Sequence, residues 1–249
     1  MDVIARRREL RSPGHETQPP SSISAPAENA PLPELKSDPA TLANIPVDQI
    51  ITVVSGLPRT GTSLMMQILE AAGFPLFTDG EREADESNRR GYYEHRRVGS
   101  LLASRDHSWL AGARGRAIKV VAPLLAALPR KLRESSDEKA EVRPVFYRVL
   151  FMERDMDEVL ASQSSFLSRL DESVPAEGGD VAKAYHQQLR NARAWCDHAN
   201  VHAMGVPYET LVTRPDEILP RIAAFLGVPE KLEAMRARID PELYRARKS

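Results

Sequence analysis

Apolar residues arrive in short unbroken runs, separated by longer stretches with helical spacing. The first run is Gln49-IITVVSG, β-branched from Ile50 to Val54 and closed by Gly56. A run apolar at successive positions, ended by a glycine, predicts a strand buried on both faces. In the following Gly61-TSLMMQILEAAG, Leu64, Ile68 and Leu69 recur at helical spacing and Gly73 supplies a stop. Three later runs also predict strands: Ala117-IKVV, Val145-FYRVLFM, and residues 201–206 leading into Pro207. Helical patterns lie between and after them, over Asp155 to Leu170, Asp180 to His198 and Pro215 to Leu226. Strands alternating with helices of this length predict an α/β domain with a central parallel sheet covered on both faces. Residues 78–116 are charged and weakly periodic. A connection of that length in a compact domain is expected to cross the sheet's edge as a lid or binding segment.

The beginning of the chain differs. From Arg11 to about Pro46 it is rich in Pro, Ser, Ala and Glu, without aromatic residues or sustained periodicity. Such a stretch cannot bury enough apolar surface to offset its ordering entropy. The expected division is a disordered tail over residues 1–46 and one phosphate-loop domain over residues 47–249. MDVIARRREL is followed by RSPGHETQPP rather than by an apolar core, so no signal peptide is read there. The longest apolar run, Val120 to Pro129, is about half the ~20 residues a membrane-spanning helix needs.

The totals remove several functions. The chain has 249 residues and a formal net charge of -1, with 34 Lys plus Arg against 35 Asp plus Glu. No global basic excess points to nucleic acid, so an anion site must be local. One cysteine, Cys196, excludes an internal disulfide framework and suits a reducing cytoplasm. His198 and His202 are four residues apart, but the preceding helix is expected to end near Asn200 and no second ligand cluster exists, so no metal is predicted.

Between the first strand and helix lies Gly56-Leu57-Pro58-Arg59-Thr60-Gly61-Thr62-Ser63. It fits the phosphate-loop pattern at every fixed position except one, where Thr62 replaces the nucleotide-hydrolysing lysine. The glycines let backbone N–H groups curl around an oxyanion, and the helix adds its positive N-terminal end. Without the lysine that reaches β and γ phosphates, a γ-phosphoryl transferase is harder to build. Arg59 offers a cation from another direction. A sulfuryl group carries less charge than a phosphoryl group and needs no obligatory magnesium.

VVSGLPRTGTSLMMQILEAAG resembles the 5′-phosphosulfate loop of sulfotransferases, with its recurrent P-[KR]-[ST]-G-T-[ST]. Tyr147-RVLFMERDMDEVLASQSSFL resembles the same family's 3′-phosphate block, with Arg154 and Ser162 at the family spacing of eight residues. Val206-PYETLVTRPDEILPRIAAFLGVP resembles a third block, with Tyr208 at the aromatic position near the adenine. The resemblance spans about residues 50 to 230 and is nearest to bacterial sulfotransferase-like proteins.

The resemblance implies a three-layer sandwich like that of the P-loop NTPases and 3′-phosphoadenosine 5′-phosphosulfate as donor. It further implies that Pro58, Arg59, Thr60, Gly61, Thr62, Ser63, Arg154, Ser162 and Tyr208 bind that donor. Lys119 matches a lysine facing the leaving oxygen. Val121 stands where the cytosolic enzymes carry a catalytic histidine, so the base must be another group. Glu81, in Thr78-DGERE, best fits the branches that use a glutamate, with Glu83, Glu94 and His95 as alternatives. Arg245, Arg247 and Lys248 could complete the 3′-phosphate clamp or form a solvated basic tail. A kinase using Arg59, and a binding protein that has lost its base, are the competing functions. The pattern fixes neither the acceptor nor an oligomeric state.

Overall fold

A computed structural model describes residues 32, 34, 35, 38–79, 93–135, 137, 139–169 and 178–240, the side chains of residues 169, 178 and 179 excepted. Glu81, Glu83, Arg245, Arg247 and Lys248 lie outside this set, as do the first 31 residues.

Four parallel strands form the central sheet: β1 (Ile50–Gly56), β2 (Ala117–Lys119), β5 (Phe146–Glu153) and β6 (Val201–Pro207), in the order β2-β1-β5-β6. The register is continuous, with Val53 of β1 opposite Ile118 of β2 and Val149 of β5. Strand side chains alternate between two cores. Ile51, Val53, Tyr147, Val149 and Phe151 face one side, where they meet α2 (Ala122–Leu125) and the end of α4 (Gly178–Cys196). Val54, Leu150, Met152, Met204 and Val206 face the other, against α1 (Thr62–Ala71), α6 (Pro215–Leu226) and α7 (Leu232–Arg236). Burial on both faces is why the strand sequences run apolar without alternating.

The helices follow local rules. Pro215 starts α6 at a position where its missing N–H costs nothing, and Gly227 ends it in the left-handed conformation at φ 78°. In α3 (Met156–Arg169), Asp157 and Glu158 occupy the first turn, where negative charge favours the helix.

Three elements depart from the expected string. Tyr208 opens a short helix, α5 (Tyr208–Thr213), instead of closing a strand. The antiparallel pair β3 (Lys131–Arg133) and β4 (Val142–Pro144) was invisible because its exposed residues show no apolar alternation. Within the stretch read as tail, residues Pro39–Leu42 form a 3-10 turn that Asp38 caps, with Leu42 buried. One leucine seated on the sheet edge is too sparse a signal to register as periodicity. The connection after α1 does reach that sheet's other edge, where Phe77 N donates to Ala117 O at 2.8 Å. Among the described residues no helix is long and apolar enough to cross a membrane.

Candidate functional site

All four parallel strands end on the same side of the sheet, and each end contributes a polar group. Gly56 leads into the loop before α1, Lys119 closes β2, Arg154 follows β5, and Tyr208 follows β6. β1 has β2 on one side and β5 on the other, so the chain leaves it in opposite directions. The crevice at such a reversal is where open parallel sheets bind ligands.

The loop holds an unusual backbone. Gly56 (φ 148°), Arg59 (φ 69°) and Gly61 (φ 91°) all have positive φ. A Cβ on Gly56 would come within 2.7 Å of Met152 O, and one on Gly61 within 2.6 Å of Tyr208 Cε2. Both positions therefore require glycine for space as well as conformation. Thr60 is buried and turns inward, its Oγ1 donating to Leu57 O at 2.7 Å, so it braces the loop. Pro58 lies in the turn, and Thr62 and Ser63 begin α1.

Arg154 and Arg59 join the loop to the strand ends. Arg154 Nη1 donates to Arg59 O at 2.9 Å, its Nε donates to Glu158 Oε2 at 2.9 Å, and its guanidinium lies 4.7 Å from the Tyr208 ring centroid. Arg59 Nε donates to Ser162 Oγ at 3.2 Å, and its guanidinium sits 5.1 Å over Phe166. The Tyr208 hydroxyl is pushed above its ordinary value by burial, while Arg154 pulls the other way. Arg59, Thr60, Gly61, Arg154, Ser162 and Tyr208 are thus one connected cluster.

Lys119 forms the opposite wall. Its side chain is only 6% exposed, and Nζ donates to Ser63 Oγ at 3.3 Å and to Glu94 Oε1 at 3.2 Å. Glu94 is 41% exposed, so this carboxylate bridges solvent and a buried ammonium at the start of α1. Its neighbour His95 is stacked between Phe77 and Trp109, with ring centroids 4.6 and 5.2 Å away.

Sequence reasoning missed Glu158 and Phe166. Glu158 was legible in principle, since Arg154 and Glu158 are an i, i+4 pair of opposite charge. The Lys119–Glu94 pair had no such signal, because a long connection separates its members. Among the described residues no group of three or more His, Cys, Asp or Glu side chains could hold a metal ion. His202 belongs to β6 and stacks on Phe225, whereas His198 lies beyond the end of α4.

Chemically, the arrangement offers backbone donors and a helix N-terminus for an oxyanion, with two guanidiniums and one ammonium around it.

Residues 147–232 match the Sulfotransferase family. No curated protein matches the chain. Among solved structures, the sulfotransferase domain of the Synechococcus PCC 7002 olefin synthase is 15% identical, covering 78% of this chain and 81% of its own, at a TM-score of 0.36. A sulfotransferase from Alicyclobacillus acidocaldarius is 14% identical, covering 78% and 98%, at 0.40. A sugar kinase from Janibacter sp. HTCC2649 is 11% identical, covering 72% and 96%, at 0.38. No argument is drawn from likenesses at these scores.

Proposed function

We propose, taking as premise the sulfotransferase-family assignment that the match over residues 147–232 supports, that this protein transfers a sulfuryl group from 3′-phosphoadenosine 5′-phosphosulfate to a hydroxyl or amine. The observation that carries the reading is the convergence of Arg59, Arg154 and Lys119 on a loop that has Thr62 in place of the phosphoryl-transfer lysine. Three cations around one helix N-terminus suit a donor with two anionic ends.

In this reading the loop from Gly56 to Ser63 holds the 5′-phosphosulfate, Arg154 and Ser162 read the 3′-phosphate, and Tyr208 lies against the adenine. The acceptor oxygen or nitrogen attacks sulfur in line with the bridging oxygen. The sulfur–oxygen bond to the phosphate breaks, and the nucleotide leaves as 3′-phosphoadenosine 5′-phosphate. Lys119 offsets the charge that builds on the bridging oxygen. The acceptor's proton passes to a carboxylate. Glu81 is the base suggested by the sequence. A second candidate, Glu94, is favoured by its contact with Lys119, which ties a solvent-facing carboxylate to the same ammonium. The reaction needs no metal and no nucleic acid, and the single buried cysteine suits a reducing cytoplasm.

Ligand-induced thermal stabilisation tests the donor. At equal concentration, 3′-phosphoadenosine 5′-phosphate should raise the melting temperature more than ATP with magnesium or AMP does. A larger shift with ATP would replace this reading with a kinase. Binding without sulfuryl transfer to any acceptor in a broad panel would leave a nucleotide-binding protein.

A further inference from the structure

A cleft of about 550 Å³ opens away from the strand ends, where the first halves of β5 and β6 meet α6 and residues 35–43. Its walls include Leu42, Met204 and Phe225, and its polar groups include Arg148, His202 and Arg221. Arg148 and His202 are register partners on adjacent strands, so both side chains project from the same face of the sheet. Arg148 precedes Arg154 by six residues along β5, about 20 Å of extended chain, so the cleft is separate from the loop site.

The electrostatics of this cleft are unbalanced. Arg148 Nη1 donates to Leu226 O at 3.0 Å, but its Nε is buried without a hydrogen-bond partner. Burial lowers the Arg148 guanidinium from its ordinary value. Among the described residues neither Arg148 nor Arg221 forms an ion pair with a carboxylate. Burial and the Arg148 charge both lower His202, an effect the carboxylate of Asp38 opposes. Asp38 also accepts from Ala40 N at 2.9 Å as the cap of its turn. A guanidinium withdrawn from water with a donor unsatisfied is costly, and an anion in the cleft would supply both the charge and the acceptor. The volume lies in the range of small-molecule sites, which pair apolar walls with a few convergent polar groups.

We propose that this cleft is a second ligand site, taking a small organic anion whose carboxylate or phosphate meets Arg148 and Arg221 while its apolar body lies on Leu42, Met204 and Phe225. The site neither uses nor requires the donor site.

The test is calorimetric titration of the full chain with hexanoate and with hexyl phosphate, with hexanol as the uncharged counterpart. At least one anion should saturate a single site, and hexanol should not. Binding should be the same with 3′-phosphoadenosine 5′-phosphate present, and Arg148→Met should weaken it by roughly tenfold or more. Arg221→Gln, on an exposed residue, should weaken it several-fold and keeps the test open if Arg148→Met fails to fold. The proposal is overturned if neither anion saturates, if hexanol binds as well, if the nucleotide displaces the anion, or if Arg221→Gln binds as tightly as the unaltered chain. Nucleotide binding in the same samples is a separate readout. Its absence with anion binding intact would remove the donor reading and leave this one standing.

Discussion

Gly61 and Gly73 both have positive φ, at 91° and 84°, but they differ in what surrounds them. Nothing lies within 4 Å of a Cβ on Gly73, whereas on Gly61 it would overlap the Tyr208 ring. Gly73→Ala should therefore cost only the left-handed backbone penalty, about 1–2 kcal/mol. Gly61→Ala should cost more and also displace Tyr208, weakening nucleotide binding well beyond anything seen in Gly73→Ala. Chemical denaturation and nucleotide titration of both variants would check this, and equal behaviour would mean that the ring contact is unimportant. The base is also decided at this scale. Glu81→Gln should lower turnover about a hundredfold, the low end of a general base's contribution, with nucleotide affinity nearly unchanged. Full activity in Glu81→Gln combined with a comparable loss in Glu94→Gln would transfer the role to the carboxylate that touches Lys119.

The junction of β5 and α3 is the element that links folding to recognition. Arg154 and Glu158 are each 7% exposed, and the same guanidinium reaches the Arg59 carbonyl. Arg154→Ala removes that guanidinium from a buried carboxylate, a change that typically costs about 3–5 kcal/mol. Its effect on binding would then be mixed with its effect on stability. Arg154→Lys keeps the charge but loses the fork. It should weaken 3′-phosphoadenosine 5′-phosphate by at least about tenfold, the equivalent of one charge-assisted hydrogen bond. An analogue lacking the 3′-phosphate should bind almost as before. Equal losses for both ligands, measured by calorimetry, would show that Arg154 supports the loop without reading that phosphate. The element was legible in outline, since Arg154 and Ser162 were found by their spacing. However, Ser162 meets Arg59 in this structure, a partner no sequence distance specifies.

The whole molecule carries a pH dependence written by its core. Burial pushes the Cys196 thiol up to about 12, with Arg130 pulling the other way. Burial likewise raises the Tyr147 hydroxyl, which donates to Pro129 O at 2.7 Å. Both groups keep their protons in the folded chain at pH values where the unfolded chain loses them. The folded state then binds more protons, so stability is full below the unfolded pKa and falls as pH rises above it. Urea-unfolding free energy should decline between about pH 8.5 and 10.5, by up to about 1.4 kcal/mol per unit for each such group. Cys196→Ala should flatten the start of that decline, whatever it does to stability at pH 7. An unchanged slope would mean the thiol is not the group responsible.

The sequence alone determined the parallel strands β1, β2, β5 and β6, the glycine loop and helices α1, α3, α4 and α6, because doubly buried strands and long helices write their periods into adjacent residues. It also identified Arg59, Lys119, Arg154, Ser162 and Tyr208 as one set, by motif and by spacing. Tertiary structure decided what each of them touches. Tyr208 packs on Gly61 because β6 carries it there from some 150 residues away, and α5 begins at it because the strand ends at Pro207. Glu94 reaches Lys119 only through the return of a long connection, and Arg148 is left unbalanced only because α6 and the segment around Leu42 close over it. Local sequence encodes torsions and faces. Contacts between distant segments depend on how the layers stack, which no window of neighbouring residues contains.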